Sequence, residues 1–408
     1  VERKIDFSIR GSKWPDDFGA SVKGKRGEWQ RLAWVSGLLA GTPKGLFDST
    51  HWGNVYFDGV DHFISTPRDV MRLTNTLRVT YAAVCGEVNP VDFIAIDTLR
   101  VFCPAVYDII RKNPDEFAGY QDSGRSAKTE ERKTFHEAWL KDVRAADRET
   151  VKSLLIRLFP RLSSVWGNTF YGPDSVTQWR KALKVSSPDN FHVYFRLALP
   201  EGAISATEMR VILALIEDPD VFASKLVTLS KQRNPDGTTR LRTFLERFTD
   251  HVRDDIPVET IPKIIKAFYD VGDQLLAAPD AAPQGMFDMN MEIRIGRVVW
   301  QLLKRLDKPT RGKLLKETFT NGKSVALAAH EVAVLGQQHG KHGADKADSE
   351  DEQIVTAADL AELERIVFEK IRKSAAEKGL VDSPELPHLL LLWLEWGGGD
   401  EVRKWVAT

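Results

Sequence analysis

The sequence has little cysteine, no excess of charge of one sign and no long apolar run. Its 408 residues include two cysteines, Cys85 and Cys103, which excludes a disulfide-based framework and favours a reducing compartment such as the cytoplasm. Lys and Arg number 57 against 58 Asp and Glu, so the formal net charge is −1, and the composition as a whole does not indicate a nucleic-acid-binding protein. The strongest apolar run, LLLLWL at 389–394, is far shorter than the roughly 20 residues of a membrane-spanning helix.

A complete phosphate-binding loop is also missing from the sequence. The closest match to G-x-x-x-x-G-K-[ST] is GASVKGKR at 19–26, where Arg26 occupies the position of the hydroxyl residue that ligates Mg²⁺. The preceding stretch, SKWPDDF, predicts a turn, whereas a phosphate-binding loop follows a buried strand. We therefore interpret residues 19–26 as a basic, glycine-containing loop.

Two further fragments imitate parts of a nucleotide-binding signature. ETFTNGKS at 317–324 ends in Gly-Lys-Ser, but the residues before it have helical spacing, so Gly322 is predicted to end a helix. DFIAID at 92–97 imitates the strand and aspartate that hold Mg²⁺, yet it follows an Asn-Pro pair and its apolar residues also recur with helical spacing. We therefore predict that Asp97 is a solvent-exposed helix residue.

Amphipathic helical patterns occupy most of the chain, which predicts a mainly α fold, either a multi-helix bundle or an irregular helical solenoid. One helix is expected to begin near residue 67, because Ser65 or Thr66 can cap it, Pro67 suits its first position and Asp69 suits its first turn. Ser205 and Glu208 have the spacing of a capping box.

A loop and a pair of helices are predicted for two other segments. Residues 41–63 are rich in glycine, aspartate and aromatic residues and predict a loop. The patterns at 238–254 and 258–276 predict a pair of antiparallel helices.

Potential metal and acid–base residues do not form a recognisable motif. Three histidines lie near one polar loop: His330, His339 and His342. They lack the ligand spacing of a zinc site, so we predict no metal site. A second group contains Asp58, Asp61 and His62. No nucleophile accompanies these three residues, which favours a role in a turn.

Several longer phrases resemble the C-terminal half of bacterial KAP-family P-loop NTPases. The resemblance extends over roughly residues 38–120 and, more loosely, much of 160–408. The phrases are WGNVYFDGVDHF (52–63), TPRDVMRLTNTL (66–77), GEVNPVDFIAIDTLRVFCPAVYDIIRKNP (86–114), SPDNFHVYFRLALPEGAIS (187–205) and HEVAVLGQQHGKHG (330–343). In that family the loop and acidic segment that hold ATP and Mg²⁺ lie upstream of these phrases, so the resemblance implies that this chain begins after them.

The resemblance also implies a role for two arginines. TPR at 66–68 is similar to the Asn-Pro-Arg element of related ATPases, in which the arginine at a helix start reaches the γ-phosphate. A guanidinium beside a helix N-terminus suits that role, so Arg68 is the candidate nucleotide sensor. Arg72, one turn later, is the second candidate.

The leading hypothesis is therefore a C-terminal lid and helical coupling region of a KAP-like NTPase. It would act at the inner face of the membrane in phage or plasmid exclusion, with ATPase activity only in the full-length context. Its expected partners are the NTPase core, other protein subunits or a second copy of the chain. The expected regions are a lid-like end of the NTPase module (1–85), a central helical domain (86–277), a linker (278–285) and a C-terminal helical domain (286–408).

Two other hypotheses remain open. One is a non-enzymatic helical scaffold within a larger complex. The other is nucleic-acid binding through the basic runs WRKALK (179–184) and KQRNPDGTTRLR (231–242), although such runs are typical of solvated helix faces.

Overall fold

The structure is a computed structural model that describes residues 39, 41–120, 126–167, 169–280, 289–344 and 346–407. Within these ranges every regular element is a helix, and the β-type pairing is an isolated bridge between Arg233 and Thr239. The prediction of a mainly α fold is confirmed. The near-match to a phosphate-binding loop at 19–26 lies outside the described residues.

The chain divides into two compact units between Pro200 and Glu201. The α-helices of the first unit are α1 (Ser49–Val55), α2 (Asp61–Phe63), α3 (Pro67–Val84), α4 (Pro90–Phe102), α5 (Pro104–Lys112), α6 (Pro114–Phe117), α7 (Ser126–Leu140), α8 (Arg148–Leu158), α9 (Leu162–Trp166), α10 (Pro173–Lys181) and α11 (Pro188–Arg196). A π-helix, Tyr56–Val60, joins α1 to α2.

The α-helices of the second unit are α12 (Ala206–Ala214), α13 (Pro219–Lys231), α14 (Arg240–Val252), α15 (Ile261–Ala277), α16 (Met291–Leu303), α17 (Lys308–Asn321), α18 (Ala326–Gln338), α19 (Ala357–Ala376), α20 (Leu386–Glu395) and α21 (Gly399–Val406). Two short 3₁₀ helices are Leu215–Glu217 and Val258–Thr260. Residues 281–285 of the expected linker lie outside the described ranges, so the division into three regions stays a prediction.

Capping side chains start the helices where the local sequence predicts. The Thr66 hydroxyl accepts a hydrogen bond from the Asp69 backbone N–H at 3.2 Å, and the Asp69 carboxylate accepts one from the Thr66 N–H at 2.9 Å. This is a complete capping box at the start of α3. Ser205 likewise caps α12, whereas the Glu208 carboxylate accepts a hydrogen bond from Arg240 at 2.6 Å.

The prediction of a loop at 41–63 is wrong, because most of this segment is helical. Asp48 caps α1 by accepting hydrogen bonds from two backbone N–H groups, and α1 continues through the π-helix into α2. Gly59 is buried there, and a Cβ atom at this position would lie 2.7 Å from the Leu154 side chain. This glycine therefore permits close packing and does not mark a turn.

Asp97 lies in a helix as predicted, but the prediction that it is solvent-exposed is wrong. The Thr80 hydroxyl donates to its carboxylate at 2.6 Å, and Arg100 Nε lies 3.3 Å from the same group. Residues 90–99 are all buried, so α4 has no exposed side over this stretch on which Asp97 could lie. Burial raises the pKa of Asp97, and the Thr80 hydrogen bond and the Arg100 charge oppose that rise.

Gly322 follows the last residue of α17, as predicted. Its φ of −69° is accessible to any residue, so left-handed backbone is not the reason for glycine. A Cβ atom would lie 2.7 Å from the Thr318 carbonyl oxygen and 3.2 Å from that of Tyr269. Close backbone approach therefore favours glycine at this helix end.

Each unit has its own apolar core. In the first unit α3 packs against α4, and α8 packs against the π-helix. In the second unit the closest packing joins helices two apart in the chain: α13 with α15, α14 with α16, and α17 with α19. The expected pair α14 and α15 therefore have their main partners elsewhere, in an arrangement typical of stacked helical hairpins. None of the helices in the part of the chain that the structure describes combines the length and the apolar composition of a membrane-spanning segment.

Candidate functional site

The two arginines selected from the sequence lie on the exposed side of α3. Arg68 is the second residue of this helix, and its side chain makes no ion pair or hydrogen bond with the part of the chain that the structure describes. Arg72 lies over the Phe102 ring, 5.4 Å from its centroid, and donates to the Val101 carbonyl at 3.5 Å. Arg68 is therefore the better placed of the two to reach a ligand.

The start of α3 offers only limited additional attraction for a phosphate. Pro67 has no N–H group, and the Asp69 N–H already donates to Thr66. The Asp69 carboxylate also places a negative charge at this helix start, and its hydrogen bonds from Thr66 and Ser65 lower its pKa. A phosphate contact here would therefore depend mainly on the Arg68 guanidinium.

The residues Asp58, Asp61 and His62 do not form one site. Arg157 pairs with Asp58 at 2.7 Å, and the Tyr56 hydroxyl donates to Asp61 at 3.0 Å. His62 lies 3.0 Å from the Asp147 carboxylate. The three side chains bind different partners, so an acid–base role shared among them has no geometric support.

The three histidines near the polar loop also separate in the structure. His330 lies beside His388, with ring centroids 6.1 Å apart. His339 Nε2 is 3.2 Å from the Val355 carbonyl oxygen, whereas His342 contacts Glu395. In the described part of the chain, no group of three or more His, Cys, Asp or Glu side chains is arranged to hold a metal ion.

His342 lies in a cleft of about 670 Å³ in the second unit. The walls are the segment after α18, the outer side of α19 and the end of α20. Lys341 and Arg365 contribute positive charge, Glu364 and Glu395 contribute negative charge, and Phe368 and Trp396 contribute aromatic surface. This volume lies within the range of about 300–1,000 Å³ that is typical of small-molecule sites.

An unusual backbone places His342 in this cleft. Gly340, His342 and Gly343 have φ values of 73°, 52° and 83°, and left-handed backbone is uncommon for a residue with a Cβ atom. Gly336, on the last turn of α18, makes room for the imidazole, because a Cβ atom there would overlap the ring. Strained backbone of this kind is found more often at functional sites than elsewhere.

The hydrogen bonds in the cleft leave one nitrogen of the imidazole without a partner. His342 Nδ1 is 2.6 Å from Glu395 Oε2, which orients the ring. Its Nε2 lies 3.8 Å from Glu364, too far for a hydrogen bond. Among the described residues, Nε2 of His342 and Nε1 of Trp396 are both buried without a hydrogen-bond partner. Both atoms belong to residues that line the cleft, and most buried polar atoms in proteins do have a partner.

Sequence reasoning did not find this cleft. Its side chains come from three segments near residues 341, 365 and 396, and no local pattern connects them. The available signal was HGKHG at 339–343, in which two glycines flank a Lys-His pair. This signal indicates an unusual backbone but does not identify Glu395 or Trp396.

Glu331 is a second residue whose environment was missed. The Trp300 indole donates to its carboxylate at 2.7 Å, and its side chain is buried in the core of the second unit. Burial raises its pKa to about 7, although the hydrogen bond from Trp300 favours the charged form. The signal was a lone glutamate within the apolar segment ALAAHEVAVLG.

The two basic runs are partly neutralised by neighbouring acids. Arg180 lies 3.0 Å from Asp189, and Arg240 lies 2.6 Å from Glu208. These pairs reduce the positive charge available to a nucleic-acid backbone.

Comparison with known proteins finds a distant similarity to a phage-exclusion protein. The chain is 22% identical over 377 residues to the phage T7 exclusion protein of Escherichia coli strain K12. The match covers 84% of this chain and 48% of that protein, so the chain spans about half the length of the curated relative that it matches. No family model and no solved structure matches the chain.

Proposed function

We propose that this chain is the helical coupling region of a phage-exclusion protein that contains a KAP-like P-loop NTPase. The similarity to the phage T7 exclusion protein, which extends over 84% of the chain, carries the proposal. The helical architecture supports a coupling role, since packed helices can transmit a change from one end of a unit to another. The proposed location is the cytoplasm, at the periphery of the inner membrane, in a complex with the NTPase core or further subunits.

In this proposal Arg68 senses the γ-phosphate of ATP, while the NTPase core holds the nucleotide and Mg²⁺. The side chain is exposed and has no partner within the described residues, so a phosphate contact would not first have to break an ion pair. Arginine suits the task because its planar guanidinium can donate two parallel hydrogen bonds to phosphate oxygens. Arg72 contributes charge nearby but stays over Phe102.

Plating of phage T7 on cells that express the full-length protein tests this function. We expect the wild-type protein to reduce plaque formation and Arg68→Ala to abolish the reduction. Arg78→Ala is the matched control, because Arg78 is an exposed arginine on the same helix, ten residues further along. If wild-type expression leaves T7 plating unchanged, the phage-exclusion role is wrong for this phage.

Nucleotide assays separate the sensor role from the exclusion role. We expect the full-length protein to hydrolyse ATP, and Arg68→Ala to slow hydrolysis by about 10³-fold, the effect of removing an arginine that stabilises the transferred phosphoryl group. The isolated 408-residue chain should not bind Mg-ATP tightly. Tight binding by this chain would contradict our interpretation of residues 19–26.

The alternative function is a helical scaffold that hydrolyses nothing. The packing of helices two apart in the second unit favours it, because stacked helical hairpins commonly present extended binding surfaces. T7 exclusion that persists in Arg68→Ala, together with no ATP hydrolysis by the full-length protein, would support the scaffold over the NTPase.

A further inference from the structure

The cleft around His342 has polar groups that the fold itself leaves unused. The Trp396 indole N–H, a donor only, is buried without a hydrogen-bond partner in the described part of the chain. His342 Nε2 is also buried without a partner, in a side chain that is 10% exposed; because Nδ1 donates to Glu395, Nε2 of the neutral ring is an acceptor. An unused buried donor costs free energy, and a ligand that accepts a hydrogen bond would recover it.

The neighbouring cations have further hydrogen-bond donors to offer. Lys341 Nζ lies 2.8 and 2.9 Å from the two oxygens of Glu364, and an ammonium has three N–H donors. Arg365 donates through Nε and Nη2 to Glu362, which leaves three of the five guanidinium N–H groups. Both side chains are substantially exposed and can turn toward a ligand.

The carboxylates of the cleft, by contrast, are already bound within the protein. Glu395 accepts from His342 Nδ1, and Glu364 accepts from Lys341. The unused donors of the cleft are therefore the Trp396 indole N–H and the spare N–H groups of Lys341 and Arg365. Such a site favours a ligand with a carboxylate or phosphate group.

The aromatic walls define the remainder of the ligand. Phe368 and Trp396 line the same cleft, and the Trp396 ring lies 6.0 Å from that of His342 in an edge-to-face arrangement. Aromatic side chains bind flat apolar groups through stacking and burial of surface. A cleft of about 670 Å³ accommodates a molecule of ordinary cofactor or metabolite size.

We propose that the cleft formed by Lys341, His342, Arg365, Phe368 and Trp396 binds a small organic anion with a flat apolar body. The anionic group accepts hydrogen bonds from the Trp396 indole and the Lys341 ammonium, and the flat body contacts the aromatic walls. Gly336 and the left-handed backbone at His342 hold the imidazole in position. This site lies in the second unit, whereas Arg68 lies in the first.

Titration of the full chain with defined probes, followed by indole N–H signals in NMR spectra, tests the proposal. Indole-3-acetate represents the carboxylate class and phenyl phosphate the phosphate class, whereas neutral indole and inorganic phosphate each supply one half of the ligand. We expect at least one of the two aromatic anions to shift the Trp396 signal, and both half-ligands to bind about tenfold more weakly or not at all.

Substitutions then identify the groups responsible. Trp396→Phe keeps a ring but removes the donor, and Lys341→Met removes the ammonium. Each should weaken binding by about tenfold, the effect of losing one hydrogen bond to a charged group. Isothermal titration calorimetry measures this affinity in both variants, because Trp396→Phe lacks the Trp396 signal. Trp405→Phe is the matched control, because the Trp405 indole already donates to the Ala375 carbonyl at 3.2 Å. We expect it to leave the affinity unchanged.

Three results would overturn the proposal. The first is that neither aromatic anion shifts the Trp396 signal. The second is that neutral indole binds as tightly as indole-3-acetate, which would make the cleft merely apolar. The third is that Trp396→Phe and Lys341→Met both bind the anion like the wild-type chain, while thermal unfolding shows that both variants are folded.

Discussion

Replacing the buried Glu331 by glutamine should change how the stability of the second unit depends on pH. The Glu331 carboxylate accepts a hydrogen bond from the Trp300 indole at 2.7 Å. It also lies close to the Gly296 backbone, since a Cβ atom there would lie 3.7 Å from Oε2. Glutamine has nearly the same shape and keeps an acceptor for Trp300, but it replaces one carboxyl oxygen by an NH₂ group. Because that replacement does not titrate, the pH dependence of the stability isolates the ionisation of Glu331.

The sign follows from the direction of the pKa shift. Burial raises the pKa of Glu331 from 4.5 to about 7, so the folded state favours the neutral carboxyl. The neutral carboxyl of Glu331 therefore contributes to the free energy of unfolding. This contribution is fully present below pH 4.5, the pKa in the unfolded chain, and is lost as the pH rises through the pKa of the folded state. At 1.36 kcal/mol per pKa unit the total is about 3 kcal/mol, most of which is lost between about pH 5 and pH 8.5.

Urea unfolding at about pH 5 and about pH 8.5 measures the effect. Relative to wild type, Glu331→Gln should gain about 2–3 kcal/mol of stability between the two conditions. Glu317→Gln is the control, because Glu317 is an exposed glutamate in α17 of the same unit. The reasoning would be refuted if the stability difference between Glu331→Gln and wild type were the same at both pH values. That result would show that Glu331 does not change its protonation on unfolding in this range.

Three further predictions concern packing and capping. Gly336→Ala should destabilise the second unit by about 1–3 kcal/mol, because the added Cβ atom would overlap His342. Its control is Gly296→Ala, where a Cβ atom has room and helix propensity should raise the stability by up to about 1 kcal/mol. Equal thermal unfolding midpoints for the two variants would contradict this prediction. Thr66→Ala should cost about 1 kcal/mol in urea unfolding by removing the cap of α3, and no change would show that this helix start is frayed. Tyr194→Phe should cost about 1 kcal/mol, because the hydroxyl accepts from the Asn89 N–H and donates to the Leu183 carbonyl, while these two groups also bond directly to each other at 2.9 Å; an unchanged unfolding midpoint would contradict this role.

Local chemistry explains which parts of the fold were predictable. The cap formed by Thr66 and Asp69 depends on residues three apart, and the helix that contains Asp97 depends on spacing over one segment, so both are readable from the sequence. The helical region within 41–63 was missed because Gly59 is set by contact with Leu154, nearly a hundred residues away. The burial of Asp97 was missed for the same reason, because it depends on tertiary contacts that spacing within one segment does not reveal.

Packing partners and the candidate cleft depend on tertiary arrangement to a still greater extent. Amphipathic periodicity indicates that α14 and α15 each bury one side, but it does not identify the helix that covers that side. In the structure α14 packs mainly against α16, and α15 packs mainly against α13. The cleft brings His342, Glu364 and Glu395 together from separate segments. Only the glycines around His342 carried a local signal.

The packing of α3 suggests how a phosphate contact at Arg68 would displace other parts of the first unit. The buried side of α3 is fixed to α4 by the hydrogen bond between Thr80 and the buried Asp97, while Arg68 lies on its exposed side, at the helix start. Breaking a buried polar pair is costly, so the helix is more readily displaced together with α4 than peeled away from it. A contact at Arg68 would therefore act on the packed pair of helices, as the proposed coupling to a partner requires.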